Sequence, residues 1–169
     1  MKSSVNNNIL LLEYPTRKEM CLANFRISEF KEGLDGVYGV YSTPDIFIDK
    51  YSDEEGNLDY FNVWEGFNYT HEQLWRFGLT FHSCVSNREK LIIDQAHKID
   101  SFGYIIAIVE GDEETKRHEM AHALYAINKD YRYQIDNILE EMSGFTLFKM
   151  KKALLAIKYI PEVLQDEIH

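Results

Sequence analysis

Residues 115–125 read Thr-Lys-Arg-His-Glu-Met-Ala-His-Ala-Leu-Tyr, and the rest of the chain is organised around them. The stretch contains His118, Glu119 and His122 in the order H-E-x-x-H. On a helix, positions i and i+4 lie on one face a turn apart, so both imidazoles can bind one zinc ion. The Glu119 carboxylate can then take a proton from water that zinc activates. The motif predicts zinc-dependent hydrolysis of peptide bonds.

The residues before the motif predict the local structure that such a site needs. Tyr104–Val109 is apolar and rich in β-branched residues, which predicts a buried strand. We expect this strand to pair at its edge with an extended peptide substrate. Gly111 ends the strand, and Asp112 is placed as the N-cap of the motif helix. The alternative is an amphipathic helix whose histidines bind no metal.

Composition indicates one globular domain. The chain has 169 residues, of which 45% are hydrophobic and 14% aromatic, enough for one core. It has no internal repeat, linker or low-complexity segment, so we predict a single domain over residues 1–169. The net charge of -10 argues against nucleic acid held by phosphate contacts and against an anionic membrane surface. The partner that the motif predicts is a protein or peptide substrate.

Cysteine content and the N-terminal sequence predict a cytoplasmic protein. The two cysteines, Cys21 and Cys84, form no C-x-x-C pair, and we expect them to be reduced. The residues before Ile9 are polar, and the apolar run that follows is too short for a signal peptide. No segment approaches the length of a membrane span.

Local patterns predict strands and helices along the whole chain. Asn8–Tyr14 reads as a strand. Four helices begin at capping residues: Thr16 to about Glu32, Thr70 (with Gln73 completing a capping box) to about Leu79, Ser86 to about Lys98, and Asp130 to about Met142. Further helices are predicted from Pro44 to about Ser52, from Thr146 to Lys158, and from Glu162 to His169.

Other residues that could belong to a site are interpreted as structural. The stretch Leu58–Phe67 predicts an irregular strand or an ordered loop. Its aromatic residues could line a substrate groove, but a core-filling cluster is favoured: Tyr60, Phe61, Trp64 and Phe67. The isolated histidines are favoured as surface or core residues: His71, His82 and His97.

The third zinc ligand is open, because a catalytic zinc ion usually has three protein ligands. An H-E-x-x-H-x-x-G-x-x-H extension fails, since Tyr125 and Asn128 replace its glycine and last histidine. Glu140 or Glu141 lies at the spacing used when a later helix supplies a glutamate. A third reading takes the glutamate from the final helix, where Asp166 and Glu167 stand together.

Several stretches resemble a family of uncharacterised zincin-like proteins of bacteria, phages and large DNA viruses. They are Glu13-Tyr14-Pro15, Trp64-x-Gly66-Phe67-Asn68, Tyr104-Ile105-Ile106, Gly111-Asp112-Glu113 and the motif through Tyr125, followed by Asn128. In that family an Asp-Glu-Ile run follows near the C-terminus, and Asp166-Glu167-Ile168 matches its start, although this chain stops at His169. The resemblance implies a zincin-like α+β fold with a small mixed or antiparallel sheet packed on the motif helix and a mostly helical C-terminal half.

The preferred site therefore has His118, His122 and Glu167 as zinc ligands and Glu119 as general base, with Glu140 or Glu141 as the alternative third ligand. An oxyanion donor is expected among Tyr125, Tyr131 and Tyr159, and Tyr125 is chosen because it lies nearest the motif. The predicted function is a zinc metallopeptidase with a narrow protein target. The alternative is a catalytically idle binding protein of the same fold.

Overall fold

A computed structural model describes residues 1–32 and 64–156, which contain four strands and six helices. The strands are β1 (Lys2–Asn6), β2 (Ile9–Tyr14), β3 (Gly66–Thr70) and β4 (Tyr104–Val109). The helices are α1 (Arg17–Glu32), α2 (His71–Thr80), α3 (Asn87–Ala96), α4 (Glu113–Ile127), α5 (Lys129–Glu141) and α6 (Gly144–Ala156). The α+β class is therefore confirmed.

Some predictions fall on residues 33–63 or 157–169 and lie outside the described residues. They are the helix from Pro44 to Ser52, the aromatic residues Tyr60 and Phe61, and the final helix from Glu162 to His169. Within the described residues, no helix combines the length and the apolar character that crossing a membrane requires.

The strands form one mixed sheet in the order β1-β2-β4-β3. β1 and β2 are antiparallel, β2 and β4 are parallel, and β3 runs antiparallel to β4. In this register Ile106 of β4 lies between Leu11 of β2 and Asn68 of β3. The suggestion that β4 pairs with a substrate peptide is wrong, because neighbouring strands already occupy both of its edges.

The hairpin of β1 and β2 was not predicted from the sequence. β1 is polar and mostly exposed, so it carries no hydrophobic signal. Its link to β2 is the pair Asn7 and Asn8, whose φ angles are 48° and 64°. In a two-residue hairpin loop of type I′ both residues have positive φ, and asparagine tolerates that conformation well. The Asn-Asn pair before an apolar run was therefore the available signal.

The hydrophobic core lies between the sheet and helices α1, α2 and α3. Phe67 of β3 is buried in it, and Trp64 stacks on Phe67 with ring centroids 5.7 Å apart. The core interpretation of these two aromatic residues is therefore confirmed.

Both cysteines are free, and burial raises the pKa of the Cys21 thiol to about 11, which keeps it protonated near neutral pH.

A buried ion pair crosses this core. The side chains of Arg26 on α1 and Glu89 on α3 are 0% and 2% exposed, and Arg26 Nη1 lies 3.2 Å from Glu89 Oε2. The guanidinium also donates to the Cys84 carbonyl at 3.2 Å and lies over the rings of Phe77 and Phe81. A buried charge needs such partners, and this pair ties α1 to the start of α3.

Helix capping follows the sequence rules at most helix starts. Thr16 caps α1, and both Thr70 and Ser86 form complete capping boxes, with Gln73 and Glu89 as their partners. For α5 the predicted cap was Asp130, and this is wrong. Asn128 is the N-cap, and its side chain accepts bonds from the backbone N–H groups of residues 130 and 131.

The chain divides after Glu119 into two compact units, and the boundary falls within α4. The first unit contains the sheet and α1 to α3. The second includes α5 and α6, neither of which has a buried residue. Whether the chain behaves as a single domain stays a prediction.

Candidate functional site

The motif helix α4 starts at a well-formed cap. Gly111 has φ +85°, a left-handed conformation that glycine adopts without strain, and it turns the chain after β4. Asp112 then accepts the Thr115 backbone N–H at 3.0 Å and the Thr115 hydroxyl at 2.8 Å. These two bonds, the backbone bond first, lower the pKa of the Asp112 carboxyl. The predicted N-cap is confirmed.

One stripe of α4 is buried. Thr115, Glu119 and His122 are 7%, 5% and 6% exposed, and their i, i+4, i+7 spacing places them on one side of the helix. His118 is exposed, since it lies at the margin of that stripe. His118 and Glu119 are the last residues of the first unit, and His122 falls after the boundary. The continuous helix keeps the two histidines one turn apart.

The Glu119 carboxylate is held by β3. The Asn68 side-chain amide donates to Glu119 Oε2 at 2.6 Å. Gly66 also lies very close, since a Cβ added there would sit 2.5 Å from Glu119 Oε1 and 2.7 Å from Thr115 Cγ2. Real Cβ atoms do not approach heavy atoms so closely, so only glycine fits this position without movement of a neighbour. The predicted general base is thus packed against the edge strand of the described sheet.

Asn68 is itself fixed by two donors. Its Oδ1 atom accepts the Lys31 ammonium at 2.8 Å and the Tyr104 hydroxyl at 2.7 Å. Lys31 is on α1 and Tyr104 begins β4, while Glu119 is on α4, so side chains from three elements contact the Asn68 amide. Together with Glu119 these residues form a polar cluster, which we call the Asn68 cluster. All four members lie in the first unit.

The third zinc ligand is not found among the described residues. Residues 1–32 and 64–156 contain no group of three or more His, Cys, Asp or Glu side chains that could hold a metal ion. Glu140 and Glu141 are exposed on α5. Glu167, the preferred ligand, lies outside the described residues. The ligand set His118, His122 and Glu167 therefore stays a prediction.

Tyr125 makes structural contacts within the second unit. Its hydroxyl donates to Asp136 Oδ1 at 2.7 Å, and the Arg132 guanidinium lies 5.5 Å from its ring centroid. Arg132 also donates to the Tyr125 carbonyl at 2.7 Å. These contacts join α4 to α5, and an oxyanion role for Tyr125 stays a prediction. Of the other candidates, Tyr131 is half-buried on α5 and Tyr159 lies outside the described residues.

The sequence did not assign roles to three members of the Asn68 cluster: Lys31, Asn68 and Tyr104. Asn68 and Glu119 are 51 positions apart, so no local rule could join them. One signal was present: Gly66 and Asn68, at positions i and i+2 of a strand, face the same side, opposite to Phe67 and Tyr69.

Comparison with protein-family models, with curated proteins and with solved structures finds no match for this chain.

Proposed function

We propose that the chain is a zinc-dependent metallopeptidase of zincin-like fold, acting on a protein or peptide. The observation that carries the proposal is the state of Glu119. It is the glutamate of an H-E-x-x-H motif on a helix, it is buried, and its carboxylate is held against β3 by Asn68. A general base needs a carboxylate that is held in a fixed position, and the Asn68 contact provides this for Glu119.

The residues divide into two roles in this proposal. His118 and His122 are imidazole donors one helical turn apart, a donor set that suits zinc, and Glu167 would complete it. Bound zinc would supply Lewis-acid polarisation of the scissile carbonyl and would lower the pKa of the attacking water. Glu119 would accept a proton from the attacking water and deliver it to the leaving amine.

The substrate backbone is best placed along β3. Peptides bind by pairing with an exposed strand edge, and within the described sheet β3 has a strand neighbour on one side only. The same strand carries Gly66 and Asn68, which contact Glu119. A peptide added at this edge would therefore run close to the general base.

The test combines metal analysis with a proteolysis screen. Untagged protein is analysed for zinc beside His118→Ala, Glu119→Gln and the control His82→Ala, which alters an exposed histidine distant in sequence from the motif. New peptide termini are counted by mass spectrometry after incubation with casein. We expect zinc loss in His118→Ala only, and a fall in cleavage of roughly 100- to 10,000-fold in Glu119→Gln with zinc retained.

The alternative is a catalytically idle binding protein of the same fold, which would bind zinc through the same residues. Wild-type protein that cleaves nothing while binding zinc would support this candidate. Protein that takes up no zinc in excess metal would contradict both, and the histidines would then belong to a metal-free helix.

A further inference from the structure

The orientation of the Asn68 amide is determined by its neighbours. Lys31 can only donate hydrogen bonds, so the atom that faces it must be the amide oxygen. With the oxygen on that side, the amide NH₂ group faces Glu119 and donates to its Oε2 atom at 2.6 Å. A flipped amide would place its NH₂ group against the Lys31 ammonium and its oxygen against the Glu119 carboxylate. The cluster therefore permits one orientation, in which Asn68 donates to Glu119.

This orientation also restricts Glu119. Oε2 is bonded to the Asn68 amide at 2.6 Å, and the Gly66 backbone limits the space beside Oε1. The carboxylate is thus held on two sides by β3, the strand proposed to bind the substrate. A base fixed in position before the substrate arrives loses less freedom in the transition state.

We propose that Asn68 is a positioning residue for Glu119, with Lys31 and Tyr104 acting through Asn68. The proposal rests on the proposed metallopeptidase function. Asn68 acts through Glu119, because its amide keeps the Glu119 carboxylate at the edge of β3. Loss of that bond is expected to lower kcat while leaving KM and zinc content unchanged, because neither substrate pairing nor the histidine ligands depend on it.

Asn68→Asp is the most informative single change. An aspartate keeps the oxygen that accepts from Lys31 and Tyr104 and replaces only the NH₂ group that donates to Glu119. Two carboxylates then face each other at hydrogen-bond distance. We expect kcat to fall about 10- to 100-fold and the unfolding equilibrium constant of the metal-free protein to rise about tenfold or more.

A second substitution reverses the direction of the hydrogen bond between residues 68 and 119. It tests this contact by a measurement that does not require enzyme activity. In Asn68→Asp combined with Glu119→Gln, the new glutamine amide donates to the new aspartate. The double variant should therefore recover most of the stability that Asn68→Asp loses. A role of Asn68 unrelated to Glu119 predicts additive losses instead. The measurement is urea unfolding of the metal-free proteins, which is independent of zinc binding and of substrate.

Tyr104→Phe and Lys31→Met serve as graded controls, since each removes one of the two donors that orient Asn68. We expect each to lower kcat by less than Asn68→Asp does. Additive stability losses in the double variant would overturn the proposal, and so would wild-type kcat in Asn68→Asp. A wild-type protein with no hydrolysis would instead refute the proposed function, whereas recovered stability would still establish the contact.

Discussion

Two glutamates of the first unit are buried to a similar degree but have different neighbours. Glu89 is 1% exposed, pairs directly with the Arg26 guanidinium at 3.2 Å and accepts the Ser86 backbone N–H at 2.7 Å. Glu119 is 5% exposed and accepts a bond from the Asn68 amide. Burial alone therefore does not separate a structural carboxylate from a candidate general base. A direct guanidinium partner indicates a structural role for Glu89, whereas the role proposed for Glu119 depends on the amide that fixes its position.

The largest expected effect separates the two glutamates by stability. Glu89→Gln leaves the Arg26 charge buried with a neutral partner, and breaking a buried pair in this way costs about 3–5 kcal/mol. Glu119→Gln keeps an oxygen that accepts the Asn68 amide, so we expect a loss below about 1 kcal/mol. The measurement is the free energy of unfolding in urea, for both variants under one set of conditions.

The exposed pair of Glu72 and Arg76 provides the control for the first comparison. Its side chains are 68% and 60% exposed, so Glu72→Gln should change stability very little. If Glu119→Gln instead lost as much stability as Glu89→Gln, both buried glutamates would be structural. The case for Glu119 as a general base would then be lost.

A second prediction concerns the space beside Glu119. Gly66→Ala places a methyl group 2.5 Å from Glu119 Oε1 and 2.7 Å from Thr115 Cγ2, so a neighbour must move. We expect a stability loss of about 1–3 kcal/mol, together with reduced cleavage because the carboxylate is displaced. Gly144→Ala is the matched control, since nothing lies within 4 Å of its added methyl group. Equal effects at the two glycines would contradict the close packing of β3 on α4.

The smallest expected effect belongs to a third carboxylate, Asp112, at the start of α4. Its pKa in the folded protein lies below the usual value of 3.8 because it accepts bonds from Thr115. The ionised carboxylate stabilises the folded protein when the pH is above the pKa of Asp112 in the unfolded chain. That stabilisation is lost as the pH falls through the lower pKa of Asp112 in the folded protein. Asp112→Asn keeps an acceptor oxygen but does not titrate. The stability difference between wild type and Asp112→Asn should therefore shrink as pH falls from 6 to about 3.

The measurement for Asp112 is urea unfolding at a series of pH values. The cap itself is worth about 1 kcal/mol, and Asp112→Ala should reveal that loss near neutral pH. A difference between wild type and Asp112→Asn that stays constant down to pH 3 would show that the carboxylate gains nothing from its charge. Asp112 would then act only as a hydrogen-bond acceptor.

The parts of the fold that local chemistry determines could be predicted from the sequence. The capping boxes at Thr70 and Ser86 need residues only three positions apart, and both were visible in the sequence. The start of α5 was harder, because Asn128 and Asp130 are both good caps two positions apart. The N-cap is the residue whose backbone is extended just before the first helical turn, and residue type does not decide between Asn128 and Asp130.

Sheet order and the surroundings of Glu119 could not be obtained in the same way. β4 is apolar along its whole length, which is typical of a central strand buried on both faces, and the prediction that its edge pairs with a substrate overlooked this signal. The contact between Asn68 and Glu119 depends on how β3 pairs with β4 and on where α4 follows β4. These are relations between distant segments, and a single sequence does not reveal them.

The parallel pairing of β2 with β4 has a consequence for how the chain folds during synthesis. Leu11 pairs with Ile106, so an apolar strand leaves the ribosome on the order of ten seconds before its partner. The hairpin with β1 closes over two residues and can form at once, covering one edge of β2. The other edge stays open until β4 emerges. During this interval the open edge of β2 exposes the nascent chain to aggregation.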